Sequence, residues 1–251
     1  MTTVQEIYDF LNQLAPFASQ MEWDNSGLVI GGPAQEVRRA VVCLDISSEV
    51  PEHVDLIISH HPVIFQARKS FTNPLDPAMA LLQRGIAAIA FHTNYDSCPG
   101  GVNDILAARL GLQDVELLPN GVRVGTVAPI SLQDFAKFVG AKLHCDVVRY
   151  RAANDENLIR KVAVCGGAGC SFLPDIYEKA DVYLTGDAGH HDFLDAAQNG
   201  IALMAAGHYH TEIIAMPPLL ERLRAAFPAV EWEMLDCGGE TTIISEKEQH
   251  Q

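Results

Sequence analysis

Leu82-Gln83-Arg84-Gly85-Ile86-Ala87-Ala88-Ile89-Ala90-Phe91-His92 is the stretch on which the fold class turns. Gly85 closes a helix over Asp76–Arg84, Ile86–Phe91 reads as a buried strand, and a histidine stands where that strand ends. Ala40–Leu44 and Asp55–Ser59 are two further short apolar runs upstream. Runs without polar alternation suit strands covered on both faces, as in a parallel sheet flanked by helices. The chain therefore reads as α/β with a largely parallel sheet.

The pattern recurs. Gln198-Asn199-Gly200-Ile201-Ala202 matches Gln83–Ala87 at Gln, Gly, Ile and Ala, and its strand, Ile201–Ala206, leads to His208. Lys161–Cys165 and Asp181–Thr185 are the corresponding apolar runs before it. Two similar α/β halves are expected, at residues 1–125 and 126–251, as from a duplication. Thr126–Arg160, with a helix over Leu132–Leu143, looks like the connection between them. A last strand, Val230–Met234, alternates apolar and acidic residues and has room to pack back on the first half. At the N-terminus Thr3 and Glu6 form a capping box ahead of Ile7, Phe10, Leu11 and Leu14, a helix that ends before Pro16. The tail Ser245–Gln251 is polar and expected to fray.

Composition excludes whole classes of function. The 251 residues carry 17 basic and 32 acidic side chains, a net charge of −15, with no Lys/Arg run, so nucleic acid is not an expected partner. Apolar residues make up 48%, ordinary for a globular protein. Six scattered cysteines without a Cys-x-x-Cys pair suit reduced core thiols. With no signal-peptide pattern and no long apolar segment, a cytoplasmic protein off the membrane is expected.

Histidine carries the chemistry. Seven of ten histidines fall in four places, His60-His61, His92, His190-His191 and His208/His210, at or just past strand ends. Carboxylates accompany three of these as Asp96, Asp187 with Asp192, and Glu212. Open α/β sheets bind ligands outside the carboxyl ends of their strands, and imidazole with carboxylate suits zinc, iron, nickel or manganese. In Ser59-His60-His61-Pro62, neighbouring side chains on a strand point opposite ways, so the pair serves two ions more easily than one. His92/Asp96 and His208/Glu212 both have i, i+4 spacing, which places them on one helical face. Cys165-Gly166-Gly167-Ala168-Gly169-Cys170 precedes a helix-like Phe172–Ala180 and reads as a tight strand-to-helix turn, with a phosphate cradle as the alternative. Asp187 is either part of the same cleft or the cap of the next helix.

Taken together, Trp23-Asp24-Asn25-Ser26-Gly27-Leu28, Ser59-His60-His61-Pro62, His92-Thr93-Asn94-Tyr95-Asp96, Thr185-Gly186-Asp187 and Gly207-His208-Tyr209-His210-Thr211-Glu212 resemble the Nif-three-like family. Its bacterial members are labelled GTP cyclohydrolase 1 type 2 homologues. The resemblance implies two intertwined α/β domains with mainly parallel sheets, two divalent ions and a ring-shaped homohexamer. It implies that His60 and Asp96 hold one ion, His61 and His208 the other, and that Glu212 bridges them. Two divalent ions against two carboxylates leave the centre about +2, which favours a small anionic or nucleotide-like substrate. A dinuclear metal-dependent hydrolase follows, with Asp187, His92 and His191 as candidates to shuttle a proton. The alternatives are a metal-binding or metal-delivery protein without turnover, and a protein-interaction role.

Overall fold

The computed structural model describes residues 1–47, 50–154 and 156–239. Each expected apolar run is a strand. Eleven strands occur among these residues: β1 Gly27–Ile30, β2 Arg39–Cys43, β3 Leu56–Ser59, β4 Ala87–Ala90, β5 Gln113–Leu117, β6 Arg123–Ser131, β7 Arg149–Arg151, β8 Leu158–Val164, β9 Val182–Thr185, β10 Ala202–Ala205 and β11 Glu231–Leu235. The helices are α1 Val4–Leu14, α2 Pro77–Arg84, α3 Thr93–Ser97, α4 Val102–Arg109, α5 Leu132–Leu143, α6 His190–Gln198, α7 His208–Glu212 and α8 Met216–Ala226. None of them is long and apolar enough to cross a membrane.

Local chemistry sets the helix ends. Thr3 and Glu6 form the expected capping box of α1, which buries Val4, Ile7 and Leu11. Asp76 caps α2 ahead of Pro77, and Gly85 ends it at a left-handed φ of 66°, where a Cβ would be strained. Ser131 caps α5, whose bounds coincide with the expected ones.

The strands form two sheets. The first has the order β1-β4-β3-β2-β11 and is parallel except for the β1–β4 pair. The second, β5-β6-β8-β9-β10-β7, is mixed: only β8–β9 and β9–β10 are parallel. The expectation of mainly parallel sheets thus needs correcting for the second sheet. A short hairpin joins β5 to β6 and can link only antiparallel strands. Residues 126–160 are not a connection: they supply α5, β7 and most of β6 to the second domain. The 125/126 boundary falls inside β6, a strand whose later half is partly exposed and contains Pro129. A helix over Phe172–Ala180 is also absent; a 3-10 segment, Gly169–Asp175, stands there, interrupted by Pro174. β11 returns to pair in parallel with β2, and α8 buries Leu219, Leu220 and Leu223 in the first domain's core. This exchange of chain intertwines the two domains. The polar tail lies outside the described residues.

The two halves share hydrogen bonds as well as rhythm. The Asp55 carboxylate accepts from the amides of Arg38 and Arg39, and Asp181 accepts in the same way from Arg160 and Lys161. Asp55 and Asp181 also each accept, through their carbonyls, from the first residue of β4 and β10. Superposing β3-α2-β4 on β9-α6-β10 through these bonds sets Phe91 against Ala206 and His92 against Gly207, not against His208. The second copy therefore carries its histidine one position later. Replacing either Asp55 or Asp181 with alanine strands two amides and is expected to destabilise the chain by about 1–2 kcal/mol. Distant sites add, so urea denaturation of the double variant is expected to give the sum within about 0.5 kcal/mol.

Candidate metal centre

The parallel strands of both sheets end at one cleft, and the side chains at their ends meet there. Ser59 ends β3, so His60 and His61 follow at the rim, with His60 buried and His61 half-buried. A full turn of α3 brings Asp96 back to them, while α7 presents His208 and Glu212 four residues apart. The His61, His208 and Glu212 donors form a triangle. His61 Nε2 and His208 Nε2 each lie 3.1 Å from Glu212 Oε2 and 3.2 Å from each other. Ligands about 2.0–2.1 Å from a tetrahedral ion lie roughly 3.3 Å apart, so the triangle has the size of one tetrahedral face. A second group shares Glu212: His60 Nε2 lies 3.3 Å from Asp96 Oδ1 and 3.7 Å from Glu212 Oε1. These are the two groupings that the family resemblance implies.

The far nitrogen of each imidazole is tied down. His60 Nδ1 meets the Phe91 carbonyl at 3.0 Å, His61 Nδ1 meets Asp45 at 2.8 Å, and His208 Nδ1 meets Asp187 at 2.6 Å. With Nδ1 donating to these acceptors, every Nε2 turns a lone pair into the cleft, the arrangement that orients imidazole on a metal. Two such lone pairs at 3.2 Å repel unless a cation or a proton lies between them. Among the described residues four buried side-chain polar atoms lack a hydrogen bond, and three of them, His60 Nε2, Asp96 Oδ1 and Glu212 Oε2, belong to the group formed by His60, Asp96 and Glu212. Orphaned buried donor atoms converging in this way are what an ion site leaves. The residues present can hold metal ions.

Charge in the cluster agrees. Burial alone would lower the His60 pKa, but Asp96 and Glu212 outweigh it and hold the imidazole well above its ordinary value. His208 is likewise carried past its burial penalty by Glu212 and Asp187, up to about 9. Burial pushes the Glu212 carboxyl up, yet His60, His208 and His61 bring it well below its usual range. Without metal, protons supply the positive charge that the carboxylates demand.

The glycine loop serves the same carboxylate. Gly167 has φ of +60°, and a Cβ there would stand 2.1 Å from Glu212 Oε1. Its amide donates to Thr211 Oγ1, while the amides of Gly166 and Gly169 donate to Asn103 and Thr185. These three amides are already used, so the loop is a tight turn and not a phosphate cradle. A cavity of about 430 Å³ opens over the centre, with Trp23, Phe65 and Phe172 among its walls.

This chain matches the Duf34/NIF3 (NGG1p interacting factor 3) family over residues 2–238. The chain belongs to the NIF3 family. A Methanocaldococcus jannaschii relative named GTP cyclohydrolase 1 type 2 homolog is 32% identical over 87% of this chain and 93% of its own. A Helicobacter pylori relative named GTP cyclohydrolase 1 type 2 is 31% identical over 84% of this chain and 88% of its own. A Bacillus cereus protein related to NIF3 superposes with a TM-score of 0.88 at 21% identity, covering 97% of this chain and 99% of that one, which bears on the fold.

Within the NIF3 fold, the three proton-shuttle candidates separate. Asp187 is occupied as the partner of His208 and does not cap α6, whose cap is Gly189 with Asp192. His92 lines the cavity, its Nδ1 bonded to Asp24 at 2.8 Å. It is the N-cap residue of α3, without a side-chain capping bond, and its ring lies 5.1 Å from that of His60, beside which Asp96 also stands. His191 lies exposed at the start of α6, stacked edge-on with His190, and does not line the cavity. His210 borders a separate depression with Cys145 and Gly207. Sequence reading missed Asp45 and the role of Asp24. The Asp24 carboxylate accepts from His92, Thr93 and Ser26, which with charge on His92 outweighs burial and holds it well below the usual carboxylate range.

Two outcomes are expected. A histidine whose folded pKa lies above its unfolded 6.5 gives stability that is complete below 6.5 and lost as pH rises through the folded value, about 9 for His208. Glu212, shifted below 4.5, gives stability present above 4.5 and lost in more acid solution. Chelator-treated protein should therefore melt at a lower temperature at pH 9.5 than at pH 6, while the gain in Tm on adding zinc should grow with pH as ligands lose protons. A Tm of the chelated protein that rises from pH 6 to 9.5 contradicts this balance. Separately, Gly167→Ala replaces no ligand residue yet crowds Glu212 Oε1, and should weaken metal binding at least ten-fold in equilibrium dialysis.

Proposed function

We propose that this NIF3-family chain is a hydrolase that works with two divalent ions on a small anionic or nucleotide-like substrate. The observation that carries the reading is the pairing of three orphaned buried donor atoms with an open cavity above them. A purely structural ion is closed off by its ligands, whereas this centre faces space for a small molecule. The relatives named GTP cyclohydrolase 1 type 2 and its homologs point the same way.

His60, Asp96 and Glu212 would hold one ion, and His61, His208 and Glu212 the other, with Glu212 the shared carboxylate. Ions so held supply Lewis-acid polarisation of a substrate oxygen and lower the pKa of water. The chain's own residues do the remainder. Asp45, Asp187 and the Phe91 carbonyl keep the ligand imidazoles in the tautomer that faces the ions. Asp24 does the same for His92, whose ring stands 5.1 Å and 5.3 Å from those of His60 and His61, leaving its Nε2 to accept or deliver a proton at the cavity floor. Trp23 and Phe65 form an apolar mouth that limits water, and their segments are joined by Asn25 Nδ2 donating to the Ile64 carbonyl at 2.6 Å. The exposed edge strand β5, with Val115 and Leu117 in solvent, fits assembly as a closed homo-oligomer, for which a hexamer is proposed.

Metal analysis of protein purified without added ions, followed by a screen of that sample against GTP and other nucleotides and phosphoesters, tests the reading. Two metal equivalents and turnover abolished by chelation are expected. Two equivalents without turnover on any substrate would favour a metal-delivery role. Glu212→Gln keeps the shape and removes one charge, and should lower occupancy of both ions. His61→Ala should lose a single equivalent with the fold intact by circular dichroism. Retention of two ions at wild-type affinity in Glu212→Gln would remove Glu212 from the shared position.

A further inference from the structure

We infer that Arg123, a residue of the second sheet, is a positioning residue for Asp96, setting the His60–Asp96 side of the centre from across the domain junction. The inference rests on the two-ion reading above. Arg123 lies on β6, and its side chain is almost fully withdrawn from water, at 1% exposure. Each arm of the guanidinium is engaged. Nε donates to the Asp104 carboxylate and Nη1 to the Gly121 carbonyl. Nη2 donates to the carbonyls of Ser97 and Cys98, 3.0 Å from each.

Those last two contacts matter for the metal centre. Ser97 ends α3 and directly follows Asp96. Its carbonyl is one of the groups that a helix leaves unpaired at its C-terminus, while that of Cys98 also accepts from the Gly101 amide at 3.1 Å. A five-residue helix has no stability of its own, so α3 depends on tertiary contacts. Tyr95 in the first domain's core and Asn94 on the Ala15 carbonyl hold its middle, and its two ends are gripped separately. Asp24 grips the N-terminal end through the Thr93 amide at 3.1 Å and the Thr93 hydroxyl at 2.6 Å. Arg123 grips the other end. Among the described residues Asp96 Oδ1 has no hydrogen-bond partner, so its carboxylate is aimed by the backbone that carries it. A guanidinium fork is planar and rigid, and with two arms anchored on Asp104 and Gly121 the third dictates where the Ser97–Cys98 backbone lies.

The junction is also built for close approach. A Cβ on Gly121, which has φ of +87°, would stand 2.8 Å from the Ser97 Cβ. The Gly121 carbonyl takes a second bond, from Asn103 Nδ2 at 3.1 Å, next to Asp104 on α4. The other ion's two histidines do not use this bracket. His61 and His208 are oriented by Asp45 and Asp187, which lie on other segments. Loosening Arg123 should therefore act on one ion and spare the other, an asymmetry that general destabilisation does not produce.

The test uses full-length protein stripped with chelator and titrated with cobalt(II) alone, followed by visible absorption and calorimetry. Arg123→Lys keeps a positive charge beside Asp104 but cannot span both carbonyls. Wild type is expected to take two equivalents. In Arg123→Lys one equivalent should weaken ten-fold or more, with the absorption bands that Asp96→Asn also loses, while the other stays within two-fold. Unchanged binding of both ions, or equal weakening of both, overturns the assignment. Wild type taking no cobalt overturns the two-ion reading itself. Should Arg123→Lys fail to fold, Asp104→Asn frees the same guanidinium from its partly exposed end. Selective loss is again expected there, and loss of both ions or of neither overturns the inference.

Discussion

The buried carboxylate of Glu212 is the constraint around which the rest of the molecule is arranged. Only 3% of its side chain is exposed, and three imidazole nitrogens surround it within 3.7 Å. Withdrawing an ion from water costs several kcal/mol unless it is closely paired, so this carboxylate must have positive charge beside it in every folded state. Protonated histidine meets the demand in the metal-free chain. Neighbouring backbone has yielded to the same group at Gly167, where no Cβ fits beside Glu212, and to α7 at Gly186, where a Cβ would stand 2.8 Å from the His208 Cα.

A symmetric fold produces an asymmetric site. Both halves run strand, helix, strand and short helix, with matching carboxylate brackets at Asp55 and Asp181. Through these bonds Ser59 corresponds to Thr185, so the His60-His61 pair corresponds to Gly186-Asp187. One copy places ligands at that strand end. The other places a gap that admits His208 and an acid that orients it. The one-residue shift that sets His92 against Gly207 completes the division, since Gly207 at φ of 85° turns the chain before His208. The two donor groups that include Glu212 each draw on both halves, because Glu212 comes from one and His60, His61 and Asp96 come from the other, whereas the His60, His61 and His92 group lies within the first half.

That division puts weight on the junction between domains. β11 and α8 return to the first sheet, and α4 sends Asn103 and Asp104 toward the second. Asn103 Oδ1 holds the Gly166 amide beneath Glu212, while the Asp104–Arg123 pair holds the end of the helix that bears Asp96. Two adjacent residues of one helix thus reach the backbone beside both candidate carboxylate ligands.

Sequence by itself determined whatever depends on neighbours along the chain. Apolar runs without alternation marked β2, β3, β4, β8, β9 and β10, and the Thr3–Glu6 box and the Gly85 stop marked helices, because burial pattern and capping are local. Histidine and carboxylate at strand ends marked a candidate metal site for the same reason. The tertiary structure decided which partners complete it. Asp45 lies 16 residues from His61, Asp24 lies 68 from His92, and Asn103 lies 63 from Gly166. No periodicity links such pairs; they meet only once the sheets have packed. The strand direction of β6, half-exposed and broken in pattern by Pro129, and the exposure of His191 were settled in the same way. Local sequence specifies what a segment can become, but which charge faces which is fixed by the packing of elements distant in the chain.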